Sequence, residues 1–191
     1  MDDVTDRIYR ASIARDAREY GDALALYQDA LRIGGLQADI LQACAMTSFA
    51  LSVVQPTPAD ERGQEAIGYL ERALRAEPTR ADFHSELGTL YRLVAVPDHS
   101  RAAALHRQAL ILEPCHWDSL FALAMLFGAP ENVVSLDEAI AFAERAAAIR
   151  PTKSVWIRLS QLYAHAGRAK DALAAQRKSM LAWLDDQPVR Y

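Results

Sequence analysis

The sequence predicts an all-α protein, a solenoid of about five antiparallel helix pairs, and three observations carry that prediction. Pro78, Pro114 and Pro151 close the similar stretches ALRAEP, ALILEP and AAIRP at intervals of 36 and 37 residues. Small residues recur seven apart, as Ala23 and Ala30, Ala66 and Ala73, Ala102 and Ala109, Ala139 and Ala146, and Ala172 and Ser179. Seven residues is close to two helical turns, so both members of a pair share one face, where their small size lets a second helix approach. Finally, no stretch alternates apolar and polar residues with the period of a half-buried strand. Self-similarity at this period marks units that bury their apolar faces only by stacking on one another.

Ten helices follow from the punctuation, at about 4–17, 20–33, 37–54, 60–76, 80–95, 99–112, 116–128, 135–149, 153–166 and 169–185. The first is polar along its length, as suits an outer face at the end of a stack. Gly34-Gly35, Gly128 and Gly167 stand where helices should stop, because glycine enters the left-handed conformation at least cost. Glu61, Arg62, Glu65, Glu71, Arg72, Arg75 and Glu77, on and just after the fourth helix, make a solvated charged face. Ser100 is placed to cap the sixth. The stretch Ser135-Leu136-Asp137-Glu138 is a capping box that opens the eighth. The prolines follow helix ends because they cannot continue a hydrogen-bonded turn. With no linker evident, the chain reads as one domain over 1–191, with repeats at about 4–35, 36–80, 81–116, 117–152 and 153–187.

Bulk properties agree with a folded protein and exclude several classes. The 191 residues are 51% hydrophobic and 24% charged, with a formal net charge of −4. That charge is too small to suggest a nucleic-acid or membrane-surface protein, and no metal or disulfide is needed at this length to bury a core. No apolar run approaches the roughly 20 residues of a membrane span. The start, Met1-Asp2-Asp3-Val4-Thr5-Asp6-Arg7, lacks the order of a signal peptide. Cys44 and Cys115 lie far apart and read as reduced thiols, so a cytoplasmic location is expected. Arginine greatly outnumbers lysine, which points to a bacterial source with GC-rich coding.

The copy Trp156-x-x-Leu159-Ser160-x-x-Tyr163 resembles the tetratricopeptide repeat, whose pattern joins a W-x2-L-G-x2-Y stretch to a later A-x3-F and a proline. Leu87-Gly88-x-x-Tyr91 and Leu123-Ala124-x-x-Phe127 are earlier copies. The resemblance covers nearly the whole chain and is strongest from Ala66 to Ser179; at the first helix, Arg10 stands where a leucine is expected. It implies a superhelix in which the first helix of each pair lines a concave groove. Carried over residue by residue, it directs Gln42, Met46 and Phe49 inward, then Ser85, Thr89 and Arg92, then Phe121 and Met125, then Ile157 and Gln161. Methionine and aromatic side chains suit an apolar or helical segment of a partner protein laid in the groove. The carboxylate clamp of tetratricopeptide co-chaperones uses asparagines and lysines on these helices. Here the one asparagine is Asn132, in a loop, and no lysine precedes Lys153, so that clamp is not expected.

Sites for chemistry are sparse. Cys115-His116-Trp117-Asp118 groups a thiol, an imidazole and a carboxylate, but neighbours at a helix start point in different directions. Metal sites need three or four converging ligands, and a nucleophilic cysteine needs an oriented base. His84 and His106 fall at packing positions, whereas His99 and His165 fall in or near turns. Phosphate-cradling glycine motifs are absent, and no basic stripe with aromatics suggests nucleic acid. Proline-bearing insertions at Val53–Gln64, Val94–Ser100 and Gly128–Ser135 should emerge along one edge. The last helix carries Met180, Leu181, Trp183 and Leu184 with nothing after it to cover them, a candidate docking or homodimer end.

The expected role is therefore a non-catalytic protein–protein interaction scaffold, needing no cofactor and no metal and binding neither nucleic acid nor membrane. Two other roles suit the same architecture. One is a chaperone that shields an apolar client segment before assembly or secretion. The other is an accessory or targeting subunit of a separate enzyme, such as a glycosyltransferase.

Overall fold

The computed structural model describes residues 4–34, 37–57 and 60–185, with the side chains of 183–185 excepted. Its ten helices are α1 (Val4–Asp16), α2 (Tyr20–Gly34), α3 (Ala38–Val54), α4 (Glu61–Ala76), α5 (Ala81–Leu93), α6 (His99–Leu112), α7 (Trp117–Met125), α8 (Leu136–Ile149), α9 (Lys153–His165) and α10 (Ala169–Asp185). Among the described residues there is no strand. The predicted helices are all present, with ends within three residues of those expected. The chain divides into two compact units, Met1–Asp98 with α1 to α5 and His99–Tyr191 with α6 to α10.

Helix ends follow local chemistry, with one departure from expectation. The Ser135 hydroxyl accepts from the Glu138 amide while the Glu138 carboxylate accepts from the Ser135 amide, so the capping box is complete. Those bonds hold the Glu138 carboxyl below its ordinary range. Gly128 and Gly167 take positive φ of 88° and 71°, the left-handed geometry that glycine was expected to supply. Ser100, by contrast, is not a cap: α6 opens at His99, which puts Ser100 inside the first turn. α2 ends at Gly34, the first of the expected glycine stops, and Gly35 lies outside the described residues.

In the first unit, α1 packs on α2, α2 on α3, α3 on α4 and α4 on α5. The second unit continues the rule from α6 to α10 and adds a contact between α7 and α9. The paired small residues lie where these helices meet. Ala23, Ala30, Ala66, Ala73, Ala102, Ala109, Ala139 and Ala146 are all 0% exposed, and Ser179 is 6% exposed. At such a position a larger side chain would force the axes apart, at a cost of about 1–3 kcal/mol for overpacking. In the first unit, Ala11, Leu24, Tyr27, Ile40, Cys44 and Leu51 form the buried cluster. Leu120, Leu123, Leu126, Val155, Leu159 and Leu162 are the large buried side chains of the second.

Buried polar groups are mostly partnered within the repeats. His84 donates from Nε2 to the Pro78 carbonyl at 2.9 Å, and His106 shares a hydrogen bond of 3.3 Å with the Ser119 hydroxyl. Both histidines are packing residues, as the spacing predicts. Asp60 joins two of the proline-bearing insertions: its carboxylate accepts from the Gly63 amide at 3.3 Å and from the Ala95 amide at 2.9 Å. A Cβ on Gly63 would lie 2.5 Å from that carboxylate, so only glycine lets the cap close.

Two outcomes follow. Gly63→Ala should lose the α4 cap and lower stability by about 0.5–2 kcal/mol, read from the urea midpoint. Thiol titration separates the cysteines. Cys44 is buried, and burial first, with the Glu65 carboxylate second, pushes its thiol up to about 12. Cys115 is exposed. At pH 8 a disulfide reagent should therefore modify one thiol in the folded protein, and the second only after denaturant is added.

Candidate interaction surface

The predicted inward residues of the first unit lie on α3 and α5. Gln42 donates from Nε2 to both oxygens of Glu86, at 2.8 and 2.9 Å. At the same end, Arg80 donates to Asp39 at 3.2 Å and to Asp82 at 2.6 and 2.9 Å. The starts of α3 and α5 are thus tied together, and the two helices run parallel with α4 reversed between them. From Gln42 to Phe49 and from Glu86 to Arg92 each helix climbs about 9–11 Å. Phe49 and Arg92 therefore stand at about the same height. Met46, Phe49, Thr89 and Arg92 are half-buried, whereas Ser85 is buried at 3% exposure and is a packing residue instead.

Arg92 is the electrostatic exception of this face. Its Nε is buried with no hydrogen-bond partner, and no carboxylate pairs with it among the described residues. Desolvation alone lowers its pKa, with no opposing charge to restore it. A half-buried guanidinium in this state raises the energy of the isolated chain.

In the second unit, α7 and α9 present the remaining predicted residues. Arg158 of α9 donates from Nε to the Ala124 carbonyl at 3.0 Å, and from Nη2 to the Phe127 and Met125 carbonyls at 3.0 and 3.3 Å. These are the free carbonyls at the end of α7, where a cation is also favoured by the helix dipole. α7 ends at Met125 instead of the expected 128. Burial lowers the pKa of Arg158 as it does that of Arg92, but here three carbonyl contacts offset the cost.

Phe121 is half-buried because it stacks on Trp117, with ring centroids 5.2 Å apart. Trp117 in turn donates from Nε1 to the Ala146 and Arg150 carbonyls at 3.1 and 3.3 Å, and the Arg150 guanidinium covers its ring at 4.2 Å. That stack is a platform rather than an open anchor. Met125 and Ile157 remain, each 41% exposed on facing helices, with Gln161 exposed one turn beyond Ile157.

The cluster at Cys115–Asp118 is spent on starting α7. His116 is the N-cap, its Nδ1 accepting from the Ser119 amide at 3.3 Å, and Trp117 enters the stack. Cys115 and Asp118 are exposed. Among the described residues no group of three His, Cys, Asp or Glu gathers as a metal site, and no helix is long and apolar enough to cross a membrane. His165 is exposed, as the sequence predicts, whereas His99 is half-buried and bonds Glu131 at 3.0 Å.

On α10, Met180 and Leu181 are 65% and 61% exposed. Trp183 and Leu184, predicted to join them, have side chains outside the described residues. Sequence reasoning missed Leu173, 58% exposed two turns before Met180 on the same stripe, because a leucine at that position reads equally well as core. It also missed the cap supplied by Arg158, which no sequence spacing between α7 and α9 reveals.

No known protein family matches the sequence, and no curated protein does. Solved structures do match in fold. A MamA crystal structure superposes with a TM-score of 0.74 at 15% identity, covering 100% of this chain and 99% of that one. A second MamA crystal structure gives 0.73 at 16% identity, covering 92% of this chain and 95% of that one. A thermophilic tetratricopeptide repeat protein of Thermus thermophilus, TTC0263, gives 0.66 at 19% identity, covering 96% of this chain and 93% of that one. The fold is therefore an all-α helical solenoid of tetratricopeptide type.

The two arginines should respond oppositely to the same change. Arg158→Met removes three carbonyl contacts and should cost about 1–3 kcal/mol. Arg92→Met removes an unpaired charge and should leave the thermal midpoint unchanged or raise it; differential scanning calorimetry reads both.

Proposed function

We propose that this chain is a non-catalytic interaction scaffold that holds an apolar segment of a partner protein on the faces of its first helices. The observation that carries this reading is the exposure of Met125 and Ile157 on facing helices above a rigid floor. That floor is the Trp117–Phe121 stack with α7 pinned by Arg158. A preformed surface loses little entropy on binding, so a few anchors suffice for affinity. In the first unit, Arg92 recognises a carboxylate of the bound segment, which supplies the counter-charge the chain itself lacks. The outer face of α10, with Met180 and Leu181, is a second contact surface through which copies of the chain associate.

A photo-crosslinking residue at position 125, with capture from native-host lysate, tests the groove. The expected result is one crosslinked protein, lost when Ile157→Asp is added, with the attachment mapping to an apolar segment that contains an acidic residue. Crosslinks spread over many unfolded proteins would instead indicate a chaperone for client segments. A crosslinked enzyme would indicate an accessory subunit. Unchanged capture by the Ile157→Asp variant overturns the groove.

A further inference from the structure

A cavity of about 520 Å³ lies between α1 and α2. Ile13 and Ala14 of α1 and Ala25 and Leu26 of α2 form its apolar wall, with Glu19 and Asp22 at its edge. Ile13 is 52% exposed. Ala11, Leu24 and Tyr27 belong to the buried cluster shared with Ile40 and Cys44 of α3; of the cavity wall, only Leu26 also packs against that cluster. Neither Glu19 nor Asp22 has an ion-pair or side-chain hydrogen-bond partner among the described residues. Arg10, also at the edge, is engaged by Asp6 at 3.7 Å.

The outer face of α10 has the converse character. Leu173, Met180 and Leu181 are exposed, and Lys170 and Arg177 fall on the same stripe at helical spacing. Ala175 and Ser179, on the opposite face, are buried. Neither Lys170 nor Arg177 has a side-chain partner among the described residues. The neighbouring Lys178, outside the stripe, is used against the Trp156 ring at 4.3 Å.

The packing rule inside the units says how such surfaces meet. The second helix of one pair is covered by the first helix of the next: α2 by α3, α4 by α5, α6 by α7 and α8 by α9. Among the described residues, α10 is a second helix without that cover, and α1 is a first helix without a second helix before it. Apolar groups on one surface answer apolar groups on the other, and two unpaired cations answer two unpaired carboxylates.

We infer that the α10 stripe of one copy seats in the α1–α2 cavity of another, so that the chain self-associates head to tail. This rests on the reading of α10 as a contact surface and adds its counterpart. The interface is heterologous, so it propagates from copy to copy instead of closing as a symmetric dimer. Its charged rim makes assembly weaken as salt rises.

Charge exchange tests the pairing with residues that are all exposed, and circular dichroism confirms folding of each variant. In sedimentation velocity at low salt, the wild-type mass should grow with concentration beyond that of a dimer. Glu19→Lys/Asp22→Lys and Lys170→Glu/Arg177→Glu should each weaken association about tenfold or more. Mixing these two variants sets each stripe against a cavity of opposite charge, so growth should return with the two chains alternating. Combining all four reversals in one chain should restore growth as well. A wild type that stays monomeric at every concentration overturns both this inference and the α10 contact surface. Loss of association in the α10 variant alone, with the cavity variant unaffected, keeps the α10 surface and overturns its seating in the cavity.

Discussion

Contact between helices through alanines two turns apart is the constraint on which the rest of this structure depends. Ala66 and Ala73, and Ala139 and Ala146, leave no exposed surface, and a methyl side chain lets a neighbouring helix come close. Close axes bring the flanking leucines of adjacent helices into contact, and that contact buries the apolar faces no single pair can bury alone. The interface also fixes the rotation of each helix. Once α7 turns its alanines and leucines inward, Met125 is left outside. The surface offered to a partner is thus the remainder of a packing decision made on the opposite face.

Polar chemistry is used here chiefly to terminate and align helices. Arg158 closes α7, the Trp117 indole donates to the end of α8, Asp60 opens α4, and the capping box opens α8. Arg92 is unlike these because its charge is partly removed from water with nothing returned. A chain that keeps such a group carries a cost in the free state that a bound carboxylate would relieve. Stability and recognition are therefore opposed at that position and aligned at Arg158.

Much of the architecture was legible because the repeat writes it many times over. Alanine pairs, prolines and glycine stops report the same register independently, so an error at one position is outvoted by the others. Site residues have no such redundancy. Phe121 and Met125 lie on the same stretch with similar apolar character. Yet one is held in an aromatic stack while the other stands 41% exposed, a difference set by Trp117 and the neighbouring helices. Ser85 likewise sits at an inward register but is buried, because a short side chain does not reach past its neighbours.

By itself, then, the sequence determined the number of helices, their order, their approximate ends and the face each turns toward the next. Those properties follow from local periodicity and from the conformational preferences of glycine and proline. Tertiary structure alone decided where α7 stops, which inward residues stay accessible, which charges are left without partners, and that a cavity opens between α1 and α2. Each of these depends on distances between atoms far apart in the chain, and a hydrogen bond or a desolvated charge exists only once those distances are set.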